Sequence, residues 1–412
     1  MNSTERLEKV NIDKLVPYAR NARTHSKEQI LQLRSSLREF GFVNPIIADK
    51  DFNVIAGHGR ILAAKEEGLT EVPCVFVEHL SEAQKRAYII ADNRLALNAG
   101  WDEEMLSVEL GDLQCADFDL SLLGFDDAEL NKLLGGMDDV QDDDFDLSKA
   151  LEEAAFVKLG DVWSVGKHRL VCGDATDGAT VETLMDGRKA NLVLTDPPYA
   201  VSFKSASGLT MMNDSMKSDE FYSFLLASFT NMAKSLEAGG SAYVFHADTE
   251  GLNFRKAFIA AGFHLSGVCI WAKNSFVMGR SPYQWKHEPI LFGWLKGGKH
   301  RWYAGRSEST IWNYDRPKKN DNHPTSKPIE LLTYPIMNST QPNGIVLDLF
   351  GGSGSTMIAC EQTDRICHMM ELDEKYASVV LRRYVEFKGS SKDVFVLREG
   401  ETLAYDEIAK EV

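Results

Sequence analysis

Asp196 closes an apolar run, Leu192-Val193-Leu194-Thr195, and is followed by Pro197, Pro198 and Tyr199. Each proline fixes its own φ, lacks an N–H and biases the residue before it away from the α region. The four residues read as a stiff extended stub presenting two acceptors, the Asp196 carboxylate and the Pro197 carbonyl, beside a flat ring. Such a pair next to a stacking face matches an exocyclic amine with two N–H donors on a planar base. Taken alone, D-P-P-Y is better read as a plain proline-rich strand exit. A second group has to support the chemical reading.

That group lies 150 residues on. VLDLFGGSGSTMIAC, residues 346–360, reads as a strand, a Gly-rich turn and a helix. Gly352 and Gly354 permit a tight turn and close backbone approach to a ligand. Ser353 lies between them, and Phe350 sits where a small ligand could pack. Glu371 ends the next strand, 17 residues past Gly354, about where Rossmann-like folds set a carboxylate on ribose hydroxyls. A nucleoside cofactor fits this unit. A dinucleotide fits less well, because GSGST lacks the third glycine of G-x-G-x-x-G. The sequence offers no metal cluster.

The elements that must position these groups follow from the pattern of apolar residues. Strands are predicted at HRLVCG, NLVLTD, SAYVFHA, LSGVCIWAK, PILFGWL, GIVLDLF and ICHMMEL, and helices at 218–236, 249–261, 327–339, 354–363 and 374–388. The alternation predicts an α/β domain whose mostly parallel sheet is covered on both faces, with ligands beyond the carboxyl ends of its strands. A smaller α/β pattern fills 9–98, including a helix over 26–41 with Ser26 as N-cap and Gly41 as stop.

The 412 residues carry a net charge of −16, which on its face argues against a polyanionic partner. The excess is local. Residues 101–155 hold eighteen acidic residues against two lysines, so this segment alone accounts for it and reads as an acidic linker or loosely ordered arm. Residues 279–328 hold ten Lys and Arg, four acids and eight aromatics, a mixture suited to phosphate contact and base stacking, and equally to a solvated surface over a Trp-rich core. The expected domains are 1–100, 101–155 and 156–412. No apolar run is long enough to span a membrane, and the start lacks the apolar core of a signal peptide. Six cysteines without a C-x-x-C pair suit reduced thiols inside a cell.

TDPPY followed later by DLFGGSGST resembles the amino-group DNA methyltransferases, in the permuted (beta-class) order with the catalytic motif first. The resemblance covers roughly 157–390. It implies a Rossmann-like S-adenosyl-L-methionine-dependent methyltransferase fold acting on a flipped-out base of double-stranded DNA. By motif it assigns Asp196, Pro197, Pro198 and Tyr199 to catalysis. CGDAT places Asp174 at the cofactor's adenine, and HPTSKP places Thr325 and Lys327 beside the cofactor. Phe350, Gly352, Ser353 and Gly354 form the cofactor turn, and Glu371 meets the ribose. The aspartate form of the motif goes mainly with N6-adenine, so N6-methyladenine is the expected product and N4-methylcytosine the alternative. All cofactor motifs lie past the acidic stretch, so a fragment starting near residue 150 is expected to keep the cofactor site.

The N-terminal part resembles the ParB-like nuclease/sulfiredoxin superfamily through NPIIADKDFNVIAGHGRILAAKEEG. Gly57-His58-Gly59-Arg60 departs from that family's G-E-R-R, which leaves nucleotide binding and DNA docking both open. The resemblances together imply a bacterial or phage-encoded protein acting on DNA in the cytoplasm, with a homodimer as one admissible assembly. Two rival classes are a nicotinamide-dependent oxidoreductase, disfavoured by the missing glycine, and a non-enzymatic DNA-binding protein, disfavoured by the intact motifs.

Overall fold

The computed structural model describes residues 6–18, 23–96, 98–116, 118–126, 129–130, 133–134, 140–199, 216–278, 282–304, 307–315, 327–398 and 400–409. The chain divides into two compact units, Met1–Asn131 and Lys132–Val412. Among the described residues no helix is long and apolar enough to cross a membrane.

The first unit is built on four strands, β1 (Arg6–Asn11), β2 (Ile46–Ala48), β3 (Val54–Ala56) and β4 (Glu71–Phe76), in the order β1-β4-β2-β3. The expected helix forms over Lys27–Phe40. Ser26 Oγ accepts from Gln29 N at 3.1 Å, and Gly41 stops the helix at φ +73°. Gly57, at φ +100°, opens helix His58–Glu66 without a side-chain cap. Its conformation and the Ile46 methyl that an added Cβ would meet at 2.6 Å explain a glycine there.

Among its described residues the second unit carries eleven strands: β5 (Val162–Val165), β6 (His168–Cys172), β7 (Ala190–Thr195), β8 (Leu236–Phe245), β9 (Phe263–Val277), β10 (Trp285–Leu295), β11 (Ile311–Asn313), β12 (Ile345–Asp348), β13 (Ile366–Glu371), β14 (Val394–Arg398) and β15 (Glu401–Ala404). They form one sheet in the order β11-β9-β10-β8-β7-β12-β13-β6-β5-β14-β15. Its centre, β8-β7-β12-β13-β6, is parallel. Antiparallel pairs extend it at both edges. Side chains alternate between two cores: Leu192 and Leu194 of β7 enter one, Val193 the other. Helices Ile329–Ser339, Ser355–Gln362 and Glu374–Lys388 cover the first face; Gly178–Met185, Ser218–Ser235 and Gly251–Ala260 cover the second.

The acidic stretch 101–155 holds more structure than a loose arm. Helices run over Glu103–Cys115 and Leu147–Glu152, with a short 3-10 turn at Leu120–Leu123. Three of its acids act as caps: Asp102 accepts from Met105 N, Asp119 from Ser121 N and Asp146 from Lys149 N. Aspartate at N-caps stabilises helices that composition alone disfavours. Phe145, Leu147, Ala150 and Leu151 then bury themselves against Val379.

Candidate active site

The strand order reverses between β7 and β12. The chain leaves β7 for β8 on one side and leaves β12 for β13 on the other, which opens a crevice at their carboxyl ends. Both expected motifs emerge there. The strands are tied at that point by Thr195 Oγ1, which donates to Asp348 Oδ1 at 2.7 Å. Asp348 also accepts from Thr356 Oγ1 at 2.7 Å and from Phe350 N at 3.1 Å. Burial pushes its carboxyl up to about 6 against the pull of those donors. Asp348 thus locks the start of the Gly-rich turn to the strand that carries Asp196.

Asp196 is 29% exposed at its side chain. Its Oδ1 accepts from the Tyr199 hydroxyl, and its Oδ2 lies 2.5 Å from Lys327 Nζ. Pro197 is buried, and Pro198 and Tyr199 are half-buried. The Tyr199 ring packs edge-on against Phe254. Lys327, expected beside the cofactor, puts its ammonium on this carboxylate, over the Phe245 ring at 5.0 Å. Glu288 of β10 lies 3.2 Å from the same ammonium and 2.5 Å from Lys273 of β9. Burial alone would pull Lys327 down, but Asp196 and Glu288 outweigh it and hold it above its ordinary range. Burial likewise pushes Glu288 up, and Lys327 and Lys273 outweigh that and lower it. The result is a row of alternating charges, Asp196–Lys327–Glu288–Lys273, that fixes the Asp196 carboxylate in place.

The Gly-rich turn forms a cradle suited to a nucleoside. Gly352 and Gly354 adopt φ +51° and +84°. Gly352 N donates to Glu371 Oε2 at 2.7 Å, and Asp373 N donates to Glu371 Oε1 at 2.9 Å. Burial raises the Glu371 carboxyl to about 7 despite these donors. Each carboxylate oxygen has a second lone pair for a sugar hydroxyl. Glu371 pairs with Cys172 in the β13–β6 register, so Asp174 follows at the neighbouring strand end. Asp174 Oδ1 accepts from Thr176 N and Oγ1, both at 2.8 Å. Phe350 is partly exposed, and its ring lies 5.8 Å from Phe224. The donor set and the glycine turn fit an adenosine-bearing cofactor. Thr325 lies outside the described residues, as do 279–281, 305–306 and 316–326 of the expected DNA-facing segment.

Four contributors carried no local motif. Lys273 and Glu288 stand out only as charges inside apolar strands. Arg383 and Asp143 gave no signal at all. Arg383, 5% exposed at its side chain, pairs with Asp143 through two contacts of 2.6 Å. Its Nη1 donates to Ser353 O at 3.1 Å and Ser355 Oγ at 3.0 Å. Asp142 Oδ1 accepts from Ile329 N at 2.6 Å, capping the helix that follows Lys327. Residues 142 and 143 therefore strap the cofactor turn and the Lys327 helix together, so a fragment from residue 150 lacks part of the site's support.

Residues 190–382 match the DNA methylase family. Residues 1–93 match the ParB N-terminal domain, and 104–159 the ParB-methyltransferase HTH domain. A protein of Escherichia coli K12 named Putative methylase YubD is 31% identical over 208 residues, half of this chain and 86% of that one. This chain belongs to the N6/N4 family of DNA methylases. The methylase is also 26% identical over 227 residues to the DNA adenine methyltransferase YhdJ of the same strain, covering 47% of this chain and 75% of that one. At its N-terminus, the ParB-like nuclease domain-containing protein YnaK, again from that strain, is 44% identical over 75 residues, 18% of this chain and 86% of the relative. Among solved structures, the M1.HpyAVI–SAM complex is similar at 22% identity and a TM-score of 0.42, covering 52% of the methylase and 97% of that chain.

Proposed function

We propose that the methylase moves a methyl group from S-adenosylmethionine to the exocyclic N6 amine of an adenine turned out of duplex DNA. The observation that carries this is the Lys327-anchored Asp196 carboxylate, set beside the cofactor turn across the Thr195–Asp348 tie. An adenine amine is a weak nucleophile because its lone pair is delocalised into the ring. Asp196 accepts one N–H and the Pro197 carbonyl the other, which favours a more tetrahedral nitrogen and aims its lone pair. Lys327 holds Asp196 in place while that happens. Tyr199, anchored through its hydroxyl, offers its ring to the base. The bound cofactor supplies an electrophilic methyl on sulfur. Asp174, Phe350, the Gly352–Gly354 turn and Glu371 hold and orient it. Alignment of this kind lowers the barrier without any change in the groups themselves.

Adenine is preferred over cytosine because the stub has the aspartate form and because YhdJ, similar over 47% of this chain, is named an adenine methyltransferase. N4-cytosine is the second reading, since its amine offers the same two donors. Sequencing modified bases in DNA from cells that express the chain tests the proposal. N6-methyladenine at a defined sequence is the expected result, and DNA without any added methylation would refute it.

A further inference from the structure

Part of the basic, aromatic segment 279–328 lies far from the catalytic stub. β10 starts on the Asp196 side of the sheet, where Glu288 joins the charge row, and runs antiparallel to β8 toward the amino edge. It ends at Leu295, and residues 296–301 follow at that edge, opposite the one that carries Asp196. Lys189 precedes β7 and Asp196 follows it, seven residues on, so the two edges lie about 23 Å apart at ~3.3 Å per residue.

Contacts knit a belt of cations along the amino edge. Lys189 Nζ donates to Lys234 O at the end of helix Ser218–Ser235. Asn191 Nδ2 and Arg301 Nη1 both donate to Glu237 Oε1, at 2.8 and 2.7 Å. Gly239, at φ +83°, lies so close to Lys299 that an added Cβ would meet its carbonyl oxygen at 2.1 Å. Lys189, Lys234, Lys296, Lys299 and Arg301 are all exposed, and Glu237 opposes them as one half-buried acid. The turn that carries three of these cations is anchored. His300 stacks on Trp294 at 4.2 Å, with its Nε2 2.9 Å from Ser241 Oγ, and His264 packs against the same Trp294 ring at 4.5 Å. Cations on a pre-set frame lose little freedom when they meet an anion.

We propose that this belt is a second, sequence-independent DNA contact, which holds a stretch of backbone other than the one whose base enters the catalytic cleft. Exposed cations meet phosphate oxygens without reading bases. DNA is the partner that fits, because the chain belongs to the DNA methylases and its substrate is a polyanion that runs on past the cleft. Once a duplex is engaged at the cleft, its own flanks are concentrated at the belt, and the two contacts together retain long DNA better than either alone. The belt adds a site to the proposed function and leaves the chemistry at Asp196 as it stands.

The test uses the full chain and two duplexes that carry the same methylation site. One is about 20 base pairs long, and the other is several times the ~150 base-pair persistence length, so that it can fold back on the protein. Wild type should hold the long duplex about tenfold more tightly than the short one. The double variant Lys296→Gln/Lys299→Gln alters two exposed side chains and should keep its melting temperature. It should lose most of the advantage on the long duplex and stay within about twofold of wild type on the short one. Its log–log salt slope on the long duplex should be shallower by about 1.8, as two lost phosphate contacts require. Equal losses on both duplexes would overturn the proposal and put the belt on the path of the cleft-bound DNA. A wild type with no preference for the long duplex, or a variant that keeps the preference, would overturn it too; if the variant's oligomeric state shifts as well, the belt serves an acidic surface of a second copy. A wild-type protein that binds neither duplex would instead sink the reading of the chain as an enzyme of duplex DNA.

Discussion

Lys327 Nζ lies 2.5 Å from Asp196 and 3.2 Å from Glu288, which makes one buried lysine the hinge between the catalytic stub and the neighbouring hairpin. Its ammonium neutralises Asp196 without occupying all of the carboxylate's acceptor sites. Replacing Lys327 with Met should lower kcat by about tenfold or more, since Asp196 loses its partner beside a buried Glu288. Cofactor affinity should stay within a few-fold, because the lysine serves the base side. Calorimetry alongside steady-state kinetics separates the two; a collapse of cofactor affinity with kcat intact would return Lys327 to the cofactor.

A second expectation concerns the strap. Asp143→Ala leaves the Arg383 guanidinium buried without its carboxylate, a change that costs about 3–5 kcal/mol in comparable pairs. The Ser353–Ser355 turn loses its support along with it. Melting temperature should fall and the cofactor Kd should rise, whereas Asp143→Glu should recover part of both. A fragment starting at residue 150 should show the same weakening. Wild-type affinity in that fragment would show that the turn holds itself.

Glu371 gives the site a pH dependence. Its carboxyl is raised from an ordinary 4.5 to about 7, so between those values the folded state holds more protons than the unfolded one. Its contribution to stability is therefore present below pH 4.5 and is lost as pH rises through 7. Cofactor affinity should move the other way, because only the ionised carboxylate accepts from two hydroxyls. Binding should strengthen by about tenfold from pH 6 to pH 8, as one group titrating near 7 requires. Glu371→Gln should bind weakly with a flat profile. A steep profile in that variant would assign the titration elsewhere.

Gly354 offers a backbone test. It sits at φ +84°, and an added Cβ would meet Val380 Cγ1 at 3.2 Å. Gly354→Ala should destabilise the protein by more than about 1 kcal/mol, because alanine is strained at positive φ. Chemical denaturation measures it, and a neutral result would mean that the turn relaxes.

What the sequence made legible was whatever is contiguous. Strands such as β7 and β12 announce themselves by apolar runs, and D-P-P-Y and F-G-G-S-G are short segments whose chemistry sits within one turn. Asp348 was in plain view in VLDLF, yet its tie to Thr195 depends on β7 and β12 being neighbours, which strand order alone decides. Glu288 and Lys273 become partners only through the β9–β10 register. Asp143 reaches Arg383 across 240 positions, from a segment whose acidity suggested a loose arm. Composition counts charges and cannot see that several of them are caps and one is a clamp.

The most direct measurement is mass spectrometry of nucleosides from DNA treated with the purified chain and methyl-labelled S-adenosylmethionine, run in parallel with Asp196→Ala. Label should appear in N6-methyladenine with the wild-type chain and be absent with the variant, whose cofactor affinity should stay within a few-fold. Label found only in N4-methylcytosine would overturn the choice of adenine. Equal labelling by wild type and Asp196→Ala would contradict the central role given to the stub.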